Sequence, residues 1–416
     1  MQLRHASLPA LGLLSLSLVT ALACGTSDGD RTPGGGSCTD CPGGVGGQDG
    51  SGAGGTGTGT GATGSGATGS GATGSGGSGT INFGEWNAYV MAGAEGMLAS
   101  EYTTWKNRHY HTCPDGSASV RTGGGVVSEG IGYGMLITAT LGSQADFDGL
   151  HKFYNQAAKG VSGLMNWQCG DCGSCGGGGP ATDADLDVAM ALVQADARWG
   201  GYAAAALTVI QNLRKPTVTE VCGAYTVMRP GDHWGGCSDN GLINPSYWAP
   251  GYYRVFAQLD PEGAAVWNKL VDDSYTLLEA SKGGHPDNLF IWPDAMKWNG
   301  STFLNDKGFS YNGYDACRTP WRIATDYAWT NDSRAQALLA WTSSEVDTRG
   351  FSGITNQANS AFYGALALGS IAVSQEKADA RLNEWLNSSL DDVPYYQGTL
   401  RLLYLMVAAG KFPSTL

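Results

Sequence analysis

The sequence predicts an all-α fold, an (α/α)6 barrel in which six inner helices are lined by six outer ones. Three observations lead there. Apolar residues recur at helical spacing in twelve successive segments between Glu85 and Ala409. These segments alternate between richer and poorer apolar faces, as inner and outer members of sequential pairs would. No long run of alternating apolar and polar residues marks a sheet. Helix starts in such a toroid cluster at one end, where the connecting loops can build a cleft.

Taken in order, the chain opens with what reads as an export signal at 1–23. Arg4 and His5 precede an apolar run from Leu8 to Leu22, too short to span a bilayer comfortably. Cys24 follows Ala21-Leu22-Ala23, a junction that resembles that of a bacterial lipoprotein, in which this Cys carries the lipid. Plain secretion is the alternative. Residues 24–80 read as a low-complexity tether: from Gly35 to Thr80 nearly every residue is Gly, Ser, Thr or Ala, and Gly-Ala-Thr-Gly-Ser recurs from Gly61. Such a stretch has too little apolar surface to offset chain entropy. From Ile81 to Leu416 the sequence is rich in Trp, Tyr and Leu and has no second linker, which predicts one large domain.

Within that domain the helices are expected at Glu85–Ser100, Gly130–Leu141, Gln144–Lys159, Asp183–Trp199, Tyr202–Leu213 and Ser246–Gln258. The series continues at Pro261–Ser281, Asp315–Trp329, Ser333–Trp341, Asn356–Leu368, Gln375–Leu386 and Tyr395–Ala409. The fourth is the most informative. Leu186, Ala189, Met190, Val193 and Ala197 form one apolar stripe, and Thr182 or Asp183 stands where a helix wants a capping oxygen. Asp183, Asp185 and Asp187 then gather in the first turn. The helix dipole favours carboxylates there, so capping is the plain reading. One cap needs one or two acids, however, and the glycine-rich loop from Gly176 to Pro180 could open the end of the helix to a ligand.

The cysteines fit an oxidising compartment. Cys222 and Cys237 flank a glycine-rich loop and are expected to pair. Cys169, Cys172 and Cys175 have the spacing of a metal knuckle, but in an exported, glycine-laden loop disulfides are favoured over zinc. Cys38 and Cys41 could close a small loop in the tether, and Cys113 and Cys317 have no assignable partner. A net charge of −13 disfavours nucleic acid or another polyanion as partner and suits a neutral polymer.

Two further acids could do chemistry. Glu129 stands among glycines and apolar residues in Gly123-Gly-Gly-Val-Val-Ser-Glu-Gly-Ile-Gly-Tyr-Gly-Met135, just ahead of an apolar helix and with few cations nearby in sequence. Desolvation there would raise its pKa and keep it protonated. Asp315, in Tyr314-Asp-Ala-Cys-Arg318, has Arg318 three residues on, which would keep it ionised. Solvated or capping acids at helix starts are the plain readings of both. A neutral acid facing a charged one is the pair that glycoside hydrolysis requires.

Ser128-Glu-Gly-Ile-Gly-Tyr-Gly-Met135, the Asp183 stretch and Tyr314-Asp-Ala-Cys-Arg318 resemble three successive motifs of glycoside hydrolase family 8. Gly163-Leu-Met-Asn-Trp167 and Tyr395-Tyr-Gln-Gly-Thr-Leu-Arg-Leu-Leu403 also look similar, and the resemblance covers essentially Ile81 to Leu416. It implies an (α/α)6 barrel and inverting cleavage of β-1,4-linked glycans. Glu129 would be the proton donor, Asp315 the base and Asp183, or its neighbour Asp185, the acid that binds the sugar at the cleavage point. Ile131 departs from the family, where many relatives carry Gln. Flat aromatics that could pave a sugar cleft are Trp167, Tyr247, Trp248, Tyr314 and Tyr396, with Tyr133 and Arg318 beside the acids. No metal or cofactor is required.

The expected function is an exported, monomeric, endo-acting β-1,4-glucanase acting on cellulose or mixed-linkage β-glucan, a secreted protein or surface lipoprotein. A xylanase of the same family is the nearest rival. A chitosanase is disfavoured because relatives specialised for it tend to replace the residue matching Asp315. A non-enzymatic carbohydrate-binding lipoprotein would not need all three acids, and a lyase would want more cations near the motifs than this chain offers.

Overall fold

The protein is described by a computed structural model covering residues 86–173, 175–176, 178–239, 241–284, 290–306 and 313–412. The expected export signal, Cys24, the tether and the Cys38–Cys41 pair lie outside the described residues.

Among the described residues twelve α-helices carry the fold, in inner and outer alternation. The outer members are α1 (Ala94–His109), α3 (Gln144–Gln156), α5 (Ala203–Leu213), α7 (Ala264–Ser281), α9 (Ser333–Ile354) and α11 (Gln375–Asn387). The inner members are α2 (Ser128–Leu141), α4 (Thr182–Trp199), α6 (Pro250–Leu259), α8 (Thr319–Thr330), α10 (Ser360–Leu368) and α12 (Tyr395–Ala408). Burial separates the sets. Every residue of α10 is buried, whereas α1 buries only Ala94, Leu98, Trp105 and His109. Each inner helix packs on its outer partner, and α12 returns to pack on α1 and touch α2, so the last pair meets the first.

The inner helices approach closely because small residues line their contacts. At Gly132 of α2, a Cβ would stand 2.7 Å from the Ala184 carbonyl oxygen of α4. Burial of α4 from Thr182 to Ala195 exceeds the single stripe expected, because its two sides face α2 and the barrel axis. Ala197, expected on that stripe, is exposed beyond the packed part. Asp187 crosses the interior to Arg322 of α8 in a two-pronged ion pair at 2.5 and 2.8 Å, so its buried charge is matched in full.

Most expected helices stand within a few residues of the observed ones, with three differences. The first begins at Ala94 rather than Glu85, because the segment before Gly93 (φ 89°) runs irregularly beneath the barrel. There Asn87, Tyr89 and Met91 donate backbone hydrogen bonds to Ala328, Ile371 and Ala408. The ninth continues past Trp341 to Ile354, turning at Gly350 (φ 66°); its outer face is polar, so apolar periodicity fades before the helix does. The starts expected at Ser246, Pro261 and Asp315 are 3₁₀ turns, at Pro245–Tyr247, Pro261–Gly263 and Ala316–Arg318, that precede the true helices.

Nine short strands among the described residues, unforeseen in sequence, decorate the loops. β1 (Tyr110–Thr112) pairs with β2 (Ala118–Val120), β3 (Val126–Val127) with β4 (Gln168–Cys169), and β5 (Thr219–Cys222) with β6 (Tyr225–Met228), all antiparallel. β7 (Leu242–Ile243), β8 (Met296–Trp298) and β9 (Phe303–Asn305) form a three-stranded sheet in that order. Most are too short to display a readable alternation. The expected Cys222–Cys237 disulfide is present. Cys169 pairs with Cys175, and Cys172 with Cys113, so these thiols are not available as zinc ligands. Cys317 is free and buried.

Candidate active site

Three of the sequence-predicted acids meet on one guanidinium. Arg318 donates through Nη1 to Asp183 (2.6 Å) and Glu129 (3.2 Å), and through Nη2 to Asp315 (2.5 Å). Nη1 also reaches the Tyr133 hydroxyl at 3.1 Å, and the guanidinium lies 5.2 Å from the Tyr247 ring centroid. Arg318 is 1% exposed. A single buried cation thus faces three carboxyls, an arrangement that leaves the cluster short of positive charge.

Each acid is held by a different element. Glu129 occupies the first turn of α2, which is fed by the extended strand β3, and the Tyr395 hydroxyl of α12 donates to it at 3.3 Å. It caps nothing; its side chain turns to the cleft and is one-fifth exposed. Asp315 precedes the 3₁₀ turn that brings Arg318 round, and its side chain, one-third exposed, also bonds the Asn244 amide at the end of β7. Asp183 is in the first turn of α4, yet that helix has no side-chain cap at all; Thr182 instead donates to the Arg229 carbonyl oxygen. The Oδ1 of Asp183 is buried with no hydrogen-bond partner among the described residues.

Asp185 goes elsewhere. Its Oδ1 accepts from the Tyr154 hydroxyl (2.7 Å) and the Met165 amide (3.1 Å), so it anchors the 163–167 segment from behind. That corrects its expected place among the sugar-facing groups. Burial is the main cause that raises its pKa to about 6.

Burial likewise raises Glu129 to about 7, opposed by Arg318 and reinforced by Asp183 and Asp315. Asp315 is raised too, by burial first, with Arg318 opposing. Arg318, expected to keep Asp315 ionised and to bind substrate, is instead buried and bonds Glu129 and Asp183 as well. What separates the two acids is bond length: Asp315 holds the short contact and Glu129 a long, divided one. Of the pair, Glu129 therefore holds a proton more readily.

Sequence reasoning missed Asp294. Its two carboxyl oxygens accept from the Gly313 (2.9 Å) and Ala316 (2.8 Å) amides and so fix the loop that carries Asp315. Burial, then the Asp315 charge, push its pKa up to about 7. An acid 21 residues upstream in a loop with no periodic signal offers no local hint of this.

The aromatics divide. Trp167 is half-buried and bracketed by backbone: its amide donates to Gly179 and its carbonyl accepts from Ser128, both at 2.8 Å. The indole lies across Gly178 (φ 106°), where a Cβ would stand 2.8 Å from Nε1. Tyr314 and Tyr396 are half-buried and joined by a bond from the Tyr396 hydroxyl to the Tyr314 carbonyl at 2.5 Å. Tyr133 and Trp248, 0% and 1% exposed, are core residues and present no face to a ligand, and Tyr247 at 9% lies beneath Arg318. These three support the floor of the site, a correction for Trp248 above all.

A model of the family described as glycosyl hydrolases family 8 matches residues 86–410. The chain is 33% identical over 354 residues to Endoglucanase A of Acetivibrio thermocellus, a match covering 77% of this chain and 70% of that one. It is 25% identical over 249 residues to a reducing end xylose-releasing exo-oligoxylanase of Halalkalibacterium halodurans, covering 56% of this chain and 58% of that one. Among solved structures, a β-1,3-1,4-glucanase from Paenibacillus sp. X4 superposes with a TM-score of 0.67 at 25% identity, over 80% of this chain and 98% of that one.

Proposed function

The chain belongs to glycosyl hydrolase family 8 and is a glycoside hydrolase, and on that premise we propose that it is an endo-acting β-1,4-glucanase that cleaves with inversion. The observation that carries the reading is the convergence of Glu129, Asp315 and Asp183 on Arg318. Glu129, held protonated, gives its proton to the glycosidic oxygen as the bond to the anomeric carbon breaks. Asp315 takes a proton from the water that attacks that carbon from the opposite face. Sharing the two ends of one guanidinium limits their bonded oxygens to a separation of at most about 8 Å, a limit compatible with the spacing that inversion requires. Solvent then returns a proton to Glu129 and removes one from Asp315.

Asp183, bonded to Arg318 through Oδ2, is read as the acid beneath the sugar at the cleavage point. Arg318 keeps the cluster from holding three bare charges. Trp167, Tyr314 and Tyr396 supply apolar faces for neighbouring rings. Glucan is the favoured polymer because the relative at 33% identity is named an endoglucanase. Xylan is the second reading, favoured by the relative named an exo-oligoxylanase. The decisive experiment compares reducing-sugar release from carboxymethylcellulose, barley glucan, xylan and chitosan, with proton NMR of the first anomer formed. Release of the α-anomer from a β-glucan supports the proposal; the β-anomer, or turnover only on xylan, overturns it.

The N-terminal reading extends to location: export, with Cys24 as the lipid-bearing residue, supported by the apolar run and the polar tether that follows. Metabolic labelling with a fatty acid, lost in Cys24→Ser, tests it.

A further inference from the structure

A second polar cavity, of about 140 Å³, lies between α1 and α12. It is separated from Glu129 by Tyr395, whose ring meets His109 edge-on at 6.1 Å. The 395–403 segment resembles the family as a block, yet only its first two residues, Tyr395 and Tyr396, belong to the cleft. Gly398 and Arg401 line this cavity instead.

Its walls combine the elements that hold an uncharged sugar. Arg401 is clamped by Glu101 at 2.8 and 3.1 Å and by Asp392 at 3.3 Å, which fixes planar donors and acceptors side by side. These three side chains remain about one-fifth exposed, so their outer edges are open to a ligand. Trp105, 2% exposed with its Nε1 bonded to Thr399 at 3.0 Å, closes the inner end of the cavity. His109 is 7% exposed; burial first, then Arg108, hold its pKa below the ordinary value, with the Arg121 backbone opposing. The imidazole is thus neutral near pH 7, and with one nitrogen taken by that backbone the other is left as a hydrogen-bonding group. Charges balance across the lining: Arg108 and Arg401 against Glu101 and Asp392. A net-neutral set of paired donors and acceptors favours a polyol over an anion.

We propose that the cavity bounded by Glu101, Trp105, His109, Asp392 and Arg401 is a second carbohydrate site that takes one pyranose unit of a glycan end or released product. The polar site follows from the cavity itself; the choice of a sugar rests on the reading of the cleft as a glycan hydrolase.

The test titrates the full chain carrying Glu129→Gln with cellobiose, xylobiose and inorganic phosphate into the millimolar range by calorimetry. Two classes of disaccharide site are expected. Thr104→Phe, at the exposed rim, removes one class, and Arg108→Ala weakens that class about fivefold or more, with neither shifting the unfolding midpoint. A single class that survives both substitutions overturns the proposal, as does binding of phosphate without either disaccharide. Failure of the cleft reading shows separately, as an absent Thr104-independent class together with no sugar release by the unsubstituted enzyme.

Discussion

Arg318 donates to the Glu129 carboxyl at 3.2 Å across 189 positions of sequence. The same side chain serves Asp183 and Asp315, so the three acids of the cleft share one buried cation.

Replacing Arg318 by Met strands three carboxyls around an empty place. Breaking a buried ion pair in this way costs about 3–5 kcal/mol. Chemical denaturation at neutral pH reads that loss, and it shrinks as the pH is lowered and the acids become neutral. Turnover disappears at every pH.

Glu129→Gln removes the proposed proton donor, and turnover is expected to fall by about 10²–10⁴ while oligosaccharide binding persists. The substitution also stabilises. The pKa of Glu129 rises from 4.5 to about 7 on folding, so between those values the folded protein binds more protons than the unfolded chain, and stability falls as pH climbs. The Gln variant escapes that cost. Its thermal midpoint exceeds that of the unsubstituted protein above pH 7 and converges with it below the ordinary Glu value.

The pH profile of kcat/KM is expected to be a bell. Its alkaline limb reports loss of the Glu129 proton near pH 7, and its acidic limb reports protonation of Asp315, whose pKa burial also raises. An alkaline limb unchanged when Glu129 is replaced by Asp would assign it to another group.

Asp294→Asn keeps the shape of the side chain but leaves one carbonyl oxygen to accept where two oxygens served Gly313 and Ala316. Asp315 is then less well fixed, and kcat falls on the order of 10–100-fold with a smaller change in KM. Steady-state kinetics read beside a thermal unfolding scan separate this loss of positioning from a general loss of fold.

The Cys113–Cys172 bridge spans 59 residues and ties the β1–β2 hairpin to the loop that follows Trp167. Cys113→Ser with Cys172→Ser costs about 4 kcal/mol by the loop-entropy argument. KM for long substrates rises more than kcat falls, because Trp167 loses its support while Glu129 keeps its own. Calorimetric unfolding and kinetics on a long and a short substrate separate the two effects.

Glu129, Asp183 and Asp315 were legible because each stands at a helix start in a distinctive local sequence. The sequence also suggested capping for all three, and none of them caps. Asp185 shows the limit: two residues from Asp183 on the same turn, it has the same local credentials and a different direction. Asp294 and Tyr395 belong to the site through long-range hydrogen bonds, to loop amides and to Glu129, that no spacing encodes. Trp248 misled for the converse reason, since an aromatic beside a motif reads alike whether it faces the cleft or the core.

By itself the sequence determined the helical alternation, the Cys222–Cys237 pairing and the identity of the carboxyls, because periodicity, flanking glycines and residue chemistry are local properties. Only the tertiary structure decided which acid shares which cation, how Cys113 finds Cys172, and which aromatic rings meet solvent. Those outcomes depend on contacts a few ångströms long between residues far apart in the chain, and pKa values depend on the same contacts through burial and Coulomb interaction.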